Sequence, residues 1–309
     1  MVSDSLDVRA QNLLREVVTS LKSNYGFTSM AFSIYDTAWL AMITKSSDNG
    51  PNWLFPECFT FLLEKQRPDG SWDLLENSNR QSKYQDCIAI PDTILHTLAG
   101  LLALSTHVRQ SQCGGCDLPS DIELRIGRAK SFLDIQLAKW DIEKTTHFGF
   151  ELLVPVLFYL LQGNNILFHF PQKQELENRY SIASKLDIDW LYVETCKVPL
   201  FSLEALIGKL DFSRLSHQIS PAGMMASPAS TAAYLIYAPT WSDECEAYLR
   251  HILLHGQGNG NGGVPGVFPL TTFESSWVCL AWFSSEELLT GYSCRSYQPC
   301  WRMDSLRKP

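Results

Sequence analysis

The sequence predicts an all-α fold. Apolar residues recur at helical spacing, for example across 8–21, and short stretches rich in Gly, Pro and polar residues separate such segments. No segment shows a convincing alternation of apolar and polar residues, which would indicate a strand. The 309 residues, 45% of them hydrophobic and 19% charged, can form one large domain or two ordinary ones with a sizeable core.

The same spacing places the individual helices. In chain order, they are predicted at 8–21, 36–42, 55–66, 91–104, 122–137, 151–162, 172–185, 227–235 and 243–255. Asp36 is expected to cap the second of these, and capping likewise explains Asp243. Ser227 is predicted as an N-cap, with Pro228 at the first helical position, where its missing N–H is harmless. The polar stretch 44–52 is predicted to be a loop and a possible domain boundary.

A tight turn is expected at Pro68-Asp69-Gly70, because proline presets φ and glycine accepts a positive φ. Gln66 and Trp72 flank this turn. We expect them to act as a structural staple that ends one helix and pins the loop to the next.

Charge and hydropathy exclude several classes of protein. The net charge is −8 with no basic run, so nucleic acid is not an expected partner. The most apolar run, 152–161, is too short to span a bilayer and contains Pro155, which predicts a buried helix. Nine irregularly spaced cysteines without a recognisable signal peptide indicate reduced thiols and a cytoplasmic location. Cys113 and Cys116 have no second pair, which favours a glycine-rich loop over a zinc or redox site.

Five segments carry a family resemblance. They are Tyr35-Asp36-Thr37-Ala38-Trp39, Gln66 to Trp72, Ser202-Leu203-Glu204-Ala205 with Asp211-Phe212, Ser227-Pro228-Ala229-Ser230-Thr231-Ala232-Ala233, and Gly262 to Pro269 with Phe273, Glu274 and Trp277. Together they resemble the N-terminal part of the fungal class II diterpene cyclases. These are terpene synthases of the copalyl diphosphate synthase type, including the bifunctional copalyl diphosphate/ent-kaurene synthases. The resemblance covers about residues 25–285.

The resemblance implies an α-barrel-like γ domain inserted into a β domain that is incomplete here. It implies a β-domain segment at 1–48, the γ-like domain at 49–262, and the start of the remaining β domain at 263–309. The family's active site lies between the two domains. There the middle Asp of a DxDD motif protonates geranylgeranyl diphosphate in diterpenoid secondary metabolism, an isomerase reaction in which Mg²⁺ helps to hold the diphosphate.

The catalytic motifs of this family are absent from the 309 residues. No DxDD occurs, and neither does the DDxxD motif or its NSE partner, so no catalytic residue is assigned. The nearest string, 187–190, precedes the Ser202 segment, whereas the family's acid follows the Gly262 segment. Lys185 with Leu186 resembles a Lys-Leu pair that contacts the diphosphate in relatives, although a solvated surface lysine is the favoured interpretation of Lys185. Phe201 and Gly266 stand where plant relatives have the His and Asn of a deprotonating dyad.

Three hypotheses for function follow. The first is a cyclase-family protein truncated before the acid and inactive alone, whose tail, 294–309, has no helical period and indicates an altered end. The second is a non-catalytic module that pairs with a β-domain-bearing partner through apolar surface around Trp277 and Trp282. The third is an active cyclase that uses other acids, such as Asp36 or the pair at 243–244. Geranylgeranyl diphosphate and Mg²⁺ are implied by resemblance only.

Overall fold

The computed structural model describes most of the chain and confirms the all-α class. The described residues are 9, 26, 28, 30–47, 50–72, 85–111, 118–145, 149–185, 188–193, 198–256, 260–271, 273, 274 and 276. Their α-helices are α1 (Ile34–Ala41), α2 (Pro56–Lys65), α3 (Gln85–Ser111), α4 (Ile122–Lys139), α5 (Phe150–Gln162), α6 (Lys173–Ala183), α7 (Pro228–Tyr237) and α8 (Asp243–His255). Their short strands are β1 (Phe32–Ser33), β2 (Thr44–Ser47), β3 (Gly50–Trp53) and β4 (Val264–Pro265).

Alternate helices form an inner ring. α1 packs against α3 and α7, and α3 packs against α5. The irregular 3₁₀ segment Val198–Leu206 contacts both α5 and α7 and so closes the ring. α2, α4, α6 and α8 each pack on the inner helix that precedes them. The result is a barrel-like layer of helices around an apolar core.

α1 lies at the centre of this arrangement. All eight of its residues are buried, although the helix is only two turns long. It carries the buried side chains Ile34, Trp39 and Leu40. A helix that is buried on every face needs neighbours that cover its apolar side chains and hydrogen-bond its polar ones, which explains its position between α2, α3 and α7.

The predicted loop at 44–52 is wrong, because β2 and β3 form an antiparallel hairpin there. The imidazole of His107 is stacked between two rings, those of Trp53 and Phe59, with each pair of centroids 3.6 Å apart. Lys45 adds an ion pair from its Nζ to Glu246 Oε2 at 2.6 Å. The hairpin is therefore held by distant parts of the chain, and its polar residues show no strand-like alternation.

Two helix starts also differ from prediction. α3 begins at Gln85 rather than at Pro91, which lies inside the helix, and it also ends at Ser111 rather than at residue 104. The rule that proline opens a helix therefore misplaced this end. Ser33, rather than Asp36, caps α1: its Oγ accepts a hydrogen bond from the Asp36 amide at 3.2 Å. The remaining described helices lie within two residues of their predicted bounds.

The staple at the 68–70 turn is confirmed. Gln66 Nε2 donates hydrogen bonds to Gly70 O at 3.2 Å and to Arg125 O at 3.1 Å, which ties the turn to α4. Trp72 Nε1 donates to Leu62 O in α2 at 2.8 Å. Gly70 has φ +92°, and a Cβ there would lie 2.3 Å from the Arg128 carbonyl carbon. Only glycine fits this position.

Several predictions lie outside the described residues. They concern the helix at 8–21 apart from helical residue 9, the cysteine pair at 113 and 116, the first acid of the 187–190 string, the tryptophans at 277 and 282, and the tail. The domain boundaries after residues 48 and 262 stay predictions. Among the helices that the structure describes, none has the length and hydropathy needed to cross a membrane.

Candidate functional site

Four of the five segments that carry the family resemblance meet where α1 and α7 begin, whereas the segment from Gln66 to Trp72 contacts α2 and α4 elsewhere. Ser227 caps α7 as predicted: its Oγ accepts a hydrogen bond from the Ser230 amide at 3.3 Å, and Pro228 occupies the first turn. Ser33 caps α1 in the same way. Both helices therefore present their N-terminal ends, with partial positive charge, to one region of the protein.

Asp36 joins these two helix starts. Its Oδ2 accepts a hydrogen bond from Ser33 Oγ at 2.6 Å, and its Oδ1 accepts one from the Ala229 amide, in the first turn of α7, at 3.0 Å. The side chain thus satisfies an N–H of α7 that has no partner within its own helix. Asp36 is 6% exposed. Its carboxyl group acts as a buried clasp between α1 and α7.

Glu204 forms a second clasp beside the first. Its Oε1 accepts a hydrogen bond from the Tyr35 hydroxyl at 3.1 Å, and its Oε2 accepts one from Ser230 Oγ at 2.8 Å. Ser230 Oγ in turn accepts from the Leu203 amide at 3.0 Å. Glu204 is 2% exposed. It connects the irregular segment 198–206 with both α1 and α7.

Burial controls the ionisation of both acids. It raises the pKa of Asp36 to about 7, against the hydrogen bond from Ser33, and the charge of Glu204 adds to the rise. Burial also raises the pKa of Glu204 to about 7, although Ser230 and Tyr35 oppose it. The pKa of the Tyr35 hydroxyl lies well above its ordinary value, because of burial and then Glu204. No lysine, arginine or histidine of the described chain is among the causes of these shifts.

The fifth resemblance segment, Gly262 to Pro269, covers the network formed by the earlier segments. The Val264 amide donates to Thr37 Oγ1 at 3.1 Å, and the Phe268 amide donates to Ala226 O at 2.9 Å. A Cβ placed on Gly266 would lie 3.5 Å from Asp36 Oδ2, so this segment passes directly over the first clasp. Segments far apart in sequence therefore converge on one buried polar network.

The network can hold the segments together, but it is poorly suited to acid catalysis. A carboxylic acid that protonates an alkene must contact the substrate. Both oxygens of Asp36 and both of Glu204 already accept hydrogen bonds from the protein. Neither side chain is open to solvent. The geometry supports a structural role, in which Asp36 and Glu204 hold α1, α7 and the segment 198–206 in place. Both acids have a pKa of about 7.

The other residues of the sequence analysis lie at the surface or outside this network. Lys185 is exposed just after α6, and its contact with a diphosphate stays a prediction. Phe201 is 39% exposed. Capping does not explain Asp243: Ser242 caps α8, accepting a hydrogen bond from the Cys245 amide, and Asp243 lies 4.0 Å from Lys45. The acid pair at 243–244 is solvent-exposed.

Sequence reasoning missed Glu204 as a member of the network. The signal was present, because Glu204 is the one charged residue in the apolar run 198–206. A carboxylate in such a run is expected to be buried with hydrogen-bonding partners. Nothing local identified Tyr35 and Ser230 as those partners.

A metal site is not formed by the residues that the structure describes. They contain no group of three His, Cys, Asp or Glu side chains arranged to hold an ion. Asp36 and Glu204 are enclosed and hydrogen-bonded, and Glu246 is paired with Lys45 and Arg250. The described donor set therefore does not fit Mg²⁺, and no step is assigned to it.

Comparison with known proteins identifies the relatives of this chain. No protein-family model matches it. It is 39% identical to copalyl diphosphate synthase of Talaromyces verruculosus over 273 residues, covering 88% of this chain and 27% of that protein. It is 42% identical to ent-kaur-16-ene synthase of Fusarium fujikuroi over 273 residues, covering 87% of this chain and 27% of that protein.

Solved structures that resemble this chain are also diterpene cyclases. Abietadiene synthase from Abies grandis superposes with a TM-score of 0.63 and 27% identity, covering 88% of this chain and 32% of that one. Ent-copalyl diphosphate synthase from Arabidopsis thaliana gives a TM-score of 0.61 and 26% identity, covering 87% and 35%. The chain spans about a quarter of the length of its curated relatives. Over most of its own length it is therefore related to one part of the diterpene cyclases of the copalyl diphosphate and ent-kaurene synthase type.

Proposed function

We propose that this chain supplies the γ-domain side of a class II diterpene cyclase, and that the 309 residues alone do not cyclise geranylgeranyl diphosphate. The network of Asp36 and Glu204 supports the first part, because it brings four of the five resemblance segments together into one scaffold. The Arabidopsis relative was solved with a dihydrogeranylgeranyl thiolodiphosphate analogue, which supports the substrate class.

The inactivity of the isolated chain follows from its acids. Protonation of an alkene needs a carboxylic acid that reaches the substrate, and the family's DxDD does not occur in this sequence. Asp36 and Glu204 are protonated over part of the neutral range but enclosed. Asp243 and Glu244 are exposed to water, which would quench a carbocation.

The test is a product assay. The purified chain is incubated with geranylgeranyl diphosphate and Mg²⁺, and products are dephosphorylated and analysed by gas chromatography with mass spectrometry. A full-length fungal relative serves as positive control. We expect no copalyl product from the chain alone. Copalyl product from the unmodified chain alone would overturn this proposal in favour of an unrecognised acid.

A second candidate function is assembly with a separate polypeptide that carries the acid. The observation that favours it is exposed apolar surface on segments bordering the network: Met30 is 39% exposed, Phe273 is 60% exposed, and Phe201, in the 198–206 segment, is 39% exposed. Thr28 Oγ1 lies 3.4 Å from Glu274 Oε1, which places the Met30 and Phe273 segments side by side. Such surface is typical of a protein–protein contact.

Co-expression tests this assembly. The partner is the portion of the Talaromyces verruculosus relative that this chain does not match, and the readouts are co-elution on size exclusion and formation of a copalyl product. We expect Phe201→Asp to weaken co-elution. Leu124→Asp, on the exposed face of α4, is the matched control and should leave it unchanged. Separate elution of the two unmodified polypeptides would count against assembly.

A further inference from the structure

A cavity lies at the end of the inner ring opposite to the Asp36–Glu204 network. Its volume is about 830 Å³, within the usual range for small-molecule sites. The C-terminal parts of α1, α3, α5 and α7 line it, whereas the network lies where α1 and α7 begin. The proposed cyclase function leaves this cavity without a role.

The lining mixes aliphatic side chains with polar ones, such as Thr106 and Asn164, and carries one exposed cation. Leu102, Leu160, Ile207 and Leu235 contribute aliphatic surface. Arg109, in the last turn of α3, is the one charged residue of the lining, which contains no Asp or Glu. The whole chain carries a net charge of −8, so a carboxylate-free cavity with an arginine departs from the general charge of the protein.

Two tyrosines accompany the arginine. Tyr159 and Tyr237 both line the cavity. Burial raises the pKa of the Tyr237 hydroxyl, and the positive charge of Arg109 opposes that rise. The guanidinium is therefore close enough to Tyr237 for its field to act on the hydroxyl. Arginine and tyrosine side chains together offer several hydrogen-bond donors to an anionic oxygen.

A second, smaller cavity of about 220 Å³ adjoins the first along α5. The two share Tyr159 and Gln162. The smaller one is rich in aromatic side chains, among them Phe158, Phe168 and Tyr180. A ligand with an elongated apolar body can therefore place its charged end at Arg109 and extend across Tyr159.

We propose that this cavity binds an amphipathic organic anion, with an apolar body and one carboxylate or phosphate paired with Arg109. The aliphatic part of the lining would remove a portion of the body from water, and burial of apolar surface is the main source of affinity for such ligands. The helix C-terminal ends around the cavity carry partial negative charge, so anion binding depends on Arg109 itself.

Calorimetric titration tests the site. The probes are decyl phosphate and decanoate, both below their micellar concentrations, with decanol and inorganic phosphate as matched neutral and non-apolar controls. We expect saturable binding of one equivalent of a decyl anion and at least about tenfold weaker binding of both controls, because a charge-assisted hydrogen bond and the buried chain each contribute. The two anions distinguish a preference for phosphate from one for carboxylate.

Variants locate the binding. Arg109→Gln should weaken binding of the decyl anion at least about tenfold, and Arg109→Lys should retain part of it. Arg128→Gln, an exposed arginine on α4 outside the cavity, should leave the affinity unchanged. Equal binding to the Arg109→Gln and unmodified proteins, or no saturable binding of either anion, would overturn the proposal. These titrations measure binding to the chain itself, so their result does not depend on whether the chain has cyclase activity.

Discussion

Replacing Glu204 by glutamine should change how the stability of the fold depends on pH. The glutamine side chain has nearly the same shape and can still accept a hydrogen bond from Tyr35 through its oxygen. Its amide can donate to Ser230 Oγ, which then reverses its hydroxyl. The substitution therefore removes an ionisable proton while keeping the contacts of the second clasp.

The sign of the effect follows from the raised pKa. Glu204 has a pKa of about 7 in the fold, against an ordinary value of 4.5. Between these pH values the folded protein binds more protons than the unfolded chain, so its stability falls as the pH rises through this window. A gap of about 2.5 units corresponds to about 3 kcal/mol at about 1.4 kcal/mol per unit.

The Glu204→Gln variant should not show the loss of stability that ionisation of Glu204 causes as the pH rises. Imperfect re-pairing costs about 1 kcal/mol at every pH. We therefore expect Glu204→Gln to be about 1 kcal/mol less stable than the unmodified chain at pH 4.5 and about 2 kcal/mol more stable at pH 8. The pKa of Asp36 is raised from 3.8 to about 7, so Asp36 lowers the stability of both proteins as the pH rises through that range. Only the unmodified chain has the added loss from Glu204, so its stability should fall more steeply with pH.

Urea unfolding at pH 4.5, 6 and 8, followed by far-ultraviolet circular dichroism, measures the difference. The slopes with urea must agree between proteins for the comparison to hold. Glu64→Gln, at an exposed position of α2, is the matched control and should follow the unmodified chain at each pH. If Glu204→Gln loses stability with pH as steeply as the unmodified chain, the assignment of a raised pKa to Glu204 is refuted.

Three further predictions concern other parts of the fold. Gly223→Ala should cost about 2 kcal/mol or more in chemical unfolding, because φ is +62° and a Cβ would lie 2.4 Å from Thr231 Oγ1. Gln66→Ala should cost about 1–2 kcal/mol by removing the bonds to the turn and to Arg125, measured by the same method. Burial lowers the pKa of His107 to about 4, so the stability that its neutral ring contributes to the fold should be lost as the pH falls from 6.5 towards 4. Nuclear magnetic resonance titration of the His107 ring protons would check this pKa.

Local pattern predicted most of the helices correctly. The bounds of α8 are those predicted, and the cap at Ser227 followed from the Ser-Pro sequence alone. The staple at Gln66 and Trp72 could likewise be predicted from the sequence, because the tight turn and its flanking side chains lie within seven residues. The turn itself depends on few residues, so the sequence carries its signal, whereas the bond from Gln66 to Arg125 spans 59 residues.

The errors arose where distant residues compete with local preference. The hairpin at 44–53 depends on a stack with His107, more than fifty residues away, and its own residues have weak strand character. Asp36 looked like a cap for its own helix, yet its carboxyl bonds the first turn of α7. Ser33 could take the capping role because its hydroxyl lies at the position that the α1 backbone requires.

By itself, the sequence determined the helical class, the place of most helices and the resemblance to diterpene cyclases, since each rests on short segments read in order. Only the tertiary structure decided what those segments do together. Tyr35 meets Glu204 across 169 residues and Asp36 meets Ala229 across 193. The raised pKa values depend on this enclosure, and the cavity at Arg109 depends on the meeting of four helix ends. Burial and proximity are properties of the assembled ring, which no local pattern encodes.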